Sequence, residues 1–178
     1  MTTANEAVIV LSRSLDQTGD VLAAVHPDQL ALPTPCADWD VAELIGHITS
    51  SPRNFLAMLR GEETDWSAGP VPATSGWTAE FRAAADDLIH HWHQQGDDAD
   101  AGQVDWQTAE MAVHAWDLAR ATGQSVDAFD PEVAERGLAF MSAGLTDDNR
   151  GPAFASPAPV PNDAPVYDRL AGWAGRTP

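Results

Sequence analysis

The sequence predicts an all-α protein, and three observations carry that reading. Apolar residues recur at three- and four-residue spacing along most of the chain. No segment alternates apolar and polar residues as a half-buried strand does. Helix-boundary signals stand between the periodic stretches: Asp40 with Glu43, Asp130 before Pro131, and Gly123 after a long apolar run. A length of 178 residues suits one domain, 1–178, with enough material for a core. Four or five helices of this size form a bundle, whose facing helices can carry a metal site.

The first helix spans about Glu6 to Val25, with Val8, Leu11, Leu15 and Leu22 on its apolar side. It stops before His26-Pro27, since proline drives the preceding residue out of helical geometry. Residues 32–39, Leu-Pro-Thr-Pro-Cys-Ala-Asp-Trp, read as an extended loop in which Cys36 is a small hydrophobe. Asp40 and Glu43 form a capping box for a second helix, which Pro52 kinks or divides. His47 falls at the edge of that helix's buried stripe, beside Ile48.

Gly61 to Trp77 is a long loop, and its two tryptophans, Trp66 and Trp77, either overhang a pocket or pack on the helices. A third helix follows from Thr78 to Gln95. His90, His91 and His93 near its end are surface residues, because contiguous histidines cannot all face one ion. A fifth helix begins at Pro131 behind a capping Asp130 and runs to Leu145. The tail is proline-rich, with a short closing helix from Val166 to Trp173.

The fourth helix organises the rest. It is read from a cap at Asp105 through Ala121 to a stop at Gly123. Glu110 and His114 are four residues apart and share a face, with Asp117 a turn further on. Their neighbours are almost all apolar, so the helix is buried on most sides and these three polar groups point inward. Buried carboxylates and imidazoles must be paired or bound to a metal. With His47 as third ligand, the set is two histidines and one carboxylate, which leaves a position open as in catalytic zinc sites. Zinc comes first, with nickel or ferrous iron also compatible. Asp117 is either an acceptor that orients a ligand or a general base.

Composition narrows the partners. A formal net charge of -18, with all nine basic residues arginine, disfavours nucleic acid and anionic membrane. The apolar runs are too short to span a bilayer, and Met1 to Glu6 lacks the basic start of a signal peptide. One cysteine excludes an intrachain disulfide framework and fits a reducing cytoplasm.

Residues 34–47, Thr-Pro-Cys-Ala-Asp-Trp-Asp-Val-Ala-Glu-Leu-Ile-Gly-His, together with Glu110 and 113–123, Val-His-Ala-Trp-Asp-Leu-Ala-Arg-Ala-Thr-Gly, resemble the mycothiol-dependent maleylpyruvate isomerase family. The tail at 157–165, Asp168-Arg169-Leu170 and Gly175-Arg176 is similar to its short single-domain branch. The family belongs to the DinB/YfiT-like superfamily, so the resemblance implies an up-down-down-up four-helix bundle with an added short helix and a proline-rich C-terminal segment. It places His47, Glu110 and His114 on the three metal-ligand positions. It also implies mycothiol or a similar low-molecular-weight thiol as cosubstrate, bound as thiolate and added to a small electrophile in transfer, conjugation or isomerisation. The isomerase carries a separate C-terminal domain for which this chain has no room, so maleylpyruvate is not the expected substrate. The alternatives are a metal-dependent hydrolase with Asp117 as base, or a non-catalytic metal or small-molecule binding module, including a homodimer that buries tryptophan-rich surface.

Overall fold

The computed structural model describes residues 3–36, 38–65, 68–150 and 154–178. Six α-helices form in order: α1 (Ala4–Ala23), α2 (Val41–Leu59), α3 (Trp77–Gln95), α4 (Ala101–Thr122), α5 (Pro131–Gly144) and α6 (Val166–Trp173). Among the described residues the only β-type pairing is an isolated bridge between Pro33 and Asp40. The all-α expectation and the DinB-like bundle therefore hold.

Caps explain where the helices begin, and two of them differ from the sequence reading. α1 starts two residues early because Thr3 and Glu6 form a capping box: the Glu6 N–H donates to Thr3 Oγ1 and the Thr3 N–H to the Glu6 carboxylate, at 3.2 and 2.7 Å. α4 starts one turn before the expected Asp105. Asp100 is the cap, accepting from the backbone N–H groups of Gly102 and Gln103, and Asp105 inside the helix pairs with Arg136 of α5. The box at Asp40 and Glu43 stands as read. Gly123 ends α4 with φ of 71°, a left-handed turn that suits glycine.

α2 is one continuous helix through Pro52 rather than two pieces. Proline removes one ladder hydrogen bond, but Phe55 and Leu56 on the following turn are buried and anchor it. The hydroxyls of Ser50 and Ser51 both donate to the His47 carbonyl, at 3.0 and 2.8 Å.

α1 packs on α3 and α4, and α2 packs on the same two, giving the order α1–α3–α2–α4 around the bundle. Their inner faces supply the main core, including Leu11, Leu44, Ile48, Phe55, Leu88 and Leu118. Each such side chain contributes about 1.5–3 kcal/mol by leaving water. A second cluster lies outside the ring, where α5 and α6 cover the back of α4 around Trp116, Val133, Met141 and Leu170. α4 is thus sandwiched, as its nearly all-apolar composition predicts.

The connection between α2 and α3 runs along α2. The Ala73 N–H donates to the Ala42 carbonyl at 2.9 Å, and a Cβ at Gly46 would sit 1.9 Å from the Val71 carbonyl oxygen. Only glycine lets the two backbones come this close. Of the two readings of Trp77, packing on the helices holds: it is the first residue of α3 and buried, with its indole N–H on the Leu22 carbonyl at 3.0 Å. Trp66 lies outside the described residues. None of the described helices is long and apolar enough to cross a membrane.

Candidate metal centre

The centre lies where α2 faces α4. His47 comes from the second turn of α2, and Glu110 and His114 come from successive turns of α4. The spacing of four along α4 and the crossing of α2 bring all three together, with one ligand atom from each within 4.8 Å of the others. Glu110 Oε1 sits between the imidazoles, 2.9 Å from His47 Nε2 and 3.2 Å from His114 Nε2. All three side chains are largely shielded from solvent, at 21%, 16% and 8% exposure.

This donor set fits a divalent ion. Neighbouring ligands at about 2.0–2.1 Å from a tetrahedral centre stand roughly 3.3 Å apart, close to the separations of Glu110 from the two imidazoles, while the two histidine nitrogens lie within 4.8 Å of each other. The other nitrogen of His114, Nδ1, is 3.2 Å from Asp117 Oδ2. With the proton held there, Nε2 presents its lone pair toward Glu110 and His47.

Asp117 is fully buried and has no side open to solvent. Arg176, three residues beyond α6, donates from Nε to Oδ1 at 3.1 Å and from Nη2 to Oδ2 at 2.9 Å, and from Nη1 to the Ala174 carbonyl at 2.7 Å. A chain of contacts therefore runs from the C-terminal segment through Asp117 to His114. Trp39 covers the other side, its ring centroid 4.7 Å from that of His47 and 6.1 Å from that of His114.

The electrostatics follow from burial and charge. Burial by itself would lower the His114 pKa, but the Glu110 and Asp117 carboxylates outweigh it and raise it to about 9. Burial opposes ionisation of Glu110, yet the two histidines hold it well below the usual carboxylate range. Asp117 is held low in the same way by His114 and Arg176, against its own desolvation. Cys36 is half-buried, and its thiol is pushed up to about 11, chiefly by desolvation. It is a thiol at neutral pH and a poor nucleophile.

The residues selected from the sequence thus meet, and the histidines set aside do not: His90 and His93 are exposed at the end of α3. Trp39 and Arg176 were given no role in the sequence reading. One signal bears on Arg176, since a carboxylate inside so apolar a helix as α4 requires a cation.

A family model described as the mycothiol maleylpyruvate isomerase N-terminal domain matches residues 11–119, which include the whole centre except Arg176. Two relatives, both described as uncharacterized proteins of Mycobacterium tuberculosis (strains CDC 1551 / Oshkosh and H37Rv), are each 34% identical over 181 residues. Those alignments cover 93% of this chain and 94% of each relative. No solved structure matches. The chain belongs to the mycothiol maleylpyruvate isomerase N-terminal domain family.

Proposed function

We propose that this member of the family is a divalent-metal-dependent enzyme. In this reading a low-molecular-weight thiol of the mycothiol kind adds to a small electrophile, in transfer, conjugation or isomerisation. His47, Glu110 and His114 hold the ion, with zinc the best fit and nickel or ferrous iron compatible. When bound, a divalent ion lowers the pKa of a coordinated thiol and so supplies a thiolate at neutral pH.

The observation that carries the reading is the placement of Glu110 Oε1 between two imidazole Nε2 atoms, with Nδ1 of His114 against a buried carboxylate. Each residue has a definable task. Asp117 keeps the His114 proton on Nδ1, and Arg176 keeps Asp117 ionised and in place. Trp39 shields the His47 ring from water. Cys36, with its raised pKa, does not serve as the nucleophile, which favours a thiol brought in from solution. Both Asp117 oxygens are engaged by Arg176 and His114, which argues against a hydrolase that uses Asp117 as general base. Residues 1–178 act as one domain, because Arg176 near the end of the chain completes the setting of His114.

The test is elemental analysis of tag-free protein alongside His47→Ala and His114→Ala. Near-stoichiometric zinc or nickel in the wild type, lost in both variants, is the expected result. Thiol-plus-electrophile turnover by the loaded protein should follow it. A wild type that takes up no ion would overturn the reading.

A further inference from the structure

A small cleft of about 80 Å³ reaches Glu110 from the α5 side. Its walls are Trp106 and Ala109 of α4, Phe140 and Met141 of α5, and Leu145 and Phe154 beyond α5. Glu110 is the one charged residue among the described residues of that lining, and it is also a member of the candidate metal centre. Four larger surface depressions contain polar and charged groups, and their described linings include none of His47, Glu110 or His114. Of these five depressions the apolar cleft is the one that touches a residue of the centre.

Among the described residues no arginine lines it, and three arginines of α5 and the segments after it are committed elsewhere. The Arg176 guanidinium is taken up by Asp117 and the Ala174 carbonyl. Arg136 is paired with Asp105, and buried Arg150 donates to the carbonyls of Ala155 and Trp173. A carboxylate entering the cleft would lose its hydration and find no cationic side chain in the described lining. An uncharged apolar group would instead meet three aromatic rings, a methionine and a leucine. Size is limited as well, since an apolar cavity that holds benzene has about 150 Å³.

We infer that this cleft receives the apolar end of a small uncharged electrophile, a few carbons in size, and rejects dicarboxylates such as the substrate after which the family is named. The inference rests on the metal-dependent thiol reading for the word electrophile, whereas the lining's own preference for a neutral apolar ligand is read in the metal-free protein. The geometry also names the residue that sets this preference. Leu145 is half-exposed at the rim, where a longer cationic side chain could reach the cleft while its stem stays packed.

The experiment uses two probes of matched shape, trifluorobutanamide and trifluorobutanoate, titrated by fluorine NMR against the full-length protein. It is run metal-free and zinc-loaded, on wild type, Leu145→Arg and Leu145→Met, with helical content checked by circular dichroism. In metal-free wild type the carboxylate should bind about tenfold more weakly than the amide. Leu145→Arg should reverse that order, and Leu145→Met should keep it. Equal binding of both probes, binding of neither, or an order indifferent to Leu145→Arg would overturn the proposal. A protein that binds no metal but still prefers the amide would separate failure of the enzymatic reading from failure of this one.

Discussion

Arg176 and Asp117, 59 residues apart, form a two-pronged ion pair, with guanidinium nitrogens 3.1 and 2.9 Å from the two carboxylate oxygens. Both side chains are almost entirely out of water, at 5% and 0% exposure. A pair in this setting is worth most when whole, because removing one member strands the other's charge. The same carboxylate receives His114 Nδ1, so the pair bears on both stability and ligand geometry.

Arg176→Met should therefore cost about 3–5 kcal/mol in denaturant unfolding, since it leaves buried Asp117 without its guanidinium and with His114 as its remaining side-chain partner. Asp117→Asn should weaken zinc affinity about 10–100-fold in a chelator competition, as loss of a ligand-orienting partner does. The double variant should recover part of the stability lost in Arg176→Met and none of the affinity lost in Asp117→Asn. If the single variants matched wild type in both measurements, the link from the C-terminal segment to the centre would be refuted.

Metal uptake should release a proton at neutral pH. In the metal-free protein the His114 pKa is raised to about 9, so at pH 7 the ring is protonated, whereas the ligand form is not. Calorimetric titration with zinc in buffers of different ionisation enthalpy should give about one proton released per ion at pH 7, falling away above pH 9. The same shift governs metal-free stability. The folded pKa lies above the unfolded value of about 6.5, so the contribution of His114 is complete below that value and disappears as pH rises through 9. Glu110, shifted downward, contributes above its ordinary range and loses that contribution on acidification. Thermal stability of the metal-free protein should accordingly be greatest at mildly acidic pH.

Gly46→Ala should loosen the connection between α2 and α3. The new methyl would meet the Val71 carbonyl at 1.9 Å, and a backbone atom cannot yield as a side-chain tip can. Overpacking of this kind costs about 1–3 kcal/mol, offset by up to about 1 kcal/mol from the better helix propensity of alanine. Limited proteolysis should show faster cleavage between residues 61 and 75. Cleavage at the wild-type rate would mean that the contact does not restrain the loop.

Trp39 offers an optical report on the centre. Its ring lies 4.7 Å from the His47 imidazole, so binding of nickel should quench part of the fluorescence. Trp39→Phe should abolish most of that quenching while the remaining six tryptophans keep their emission. Quenching that survives the substitution would place the bound nickel elsewhere, the exposed histidines at the end of α3 being the first place to look.

What the sequence made legible was local or periodic. Apolar spacing gave the helices, the Asp40 and Glu43 box gave the start of α2, and Gly123 gave the end of α4. His47, Glu110 and His114 could be selected because two of them share a helical face and the third stands on another amphipathic helix. What was not legible depends on distant partners. Asp100 and Asp105 are equally good caps by residue type, and the pairing of Asp105 with Arg136 on α5 decides between them. Trp77 reads as a loop residue because the partner of its indole N–H, the Leu22 carbonyl, belongs to α1. Arg176 follows a short helix behind a proline-rich segment, and no periodicity connects it to Asp117.

The sandwiching of α4 between two apolar clusters has a consequence for amide exchange. Its backbone N–H groups are shielded by α1 and α2 on one side and by α5 and α6 on the other. No local opening can expose the middle of α4 without dismantling both clusters, so those amides should exchange only through whole-molecule unfolding. An ion bound by Glu110 and His114 stabilises only the folded form. Deuterium uptake in α4 should therefore slow with rising zinc concentration, and α6, which carries none of the three ligands, should slow with it wherever it opens by the same global route.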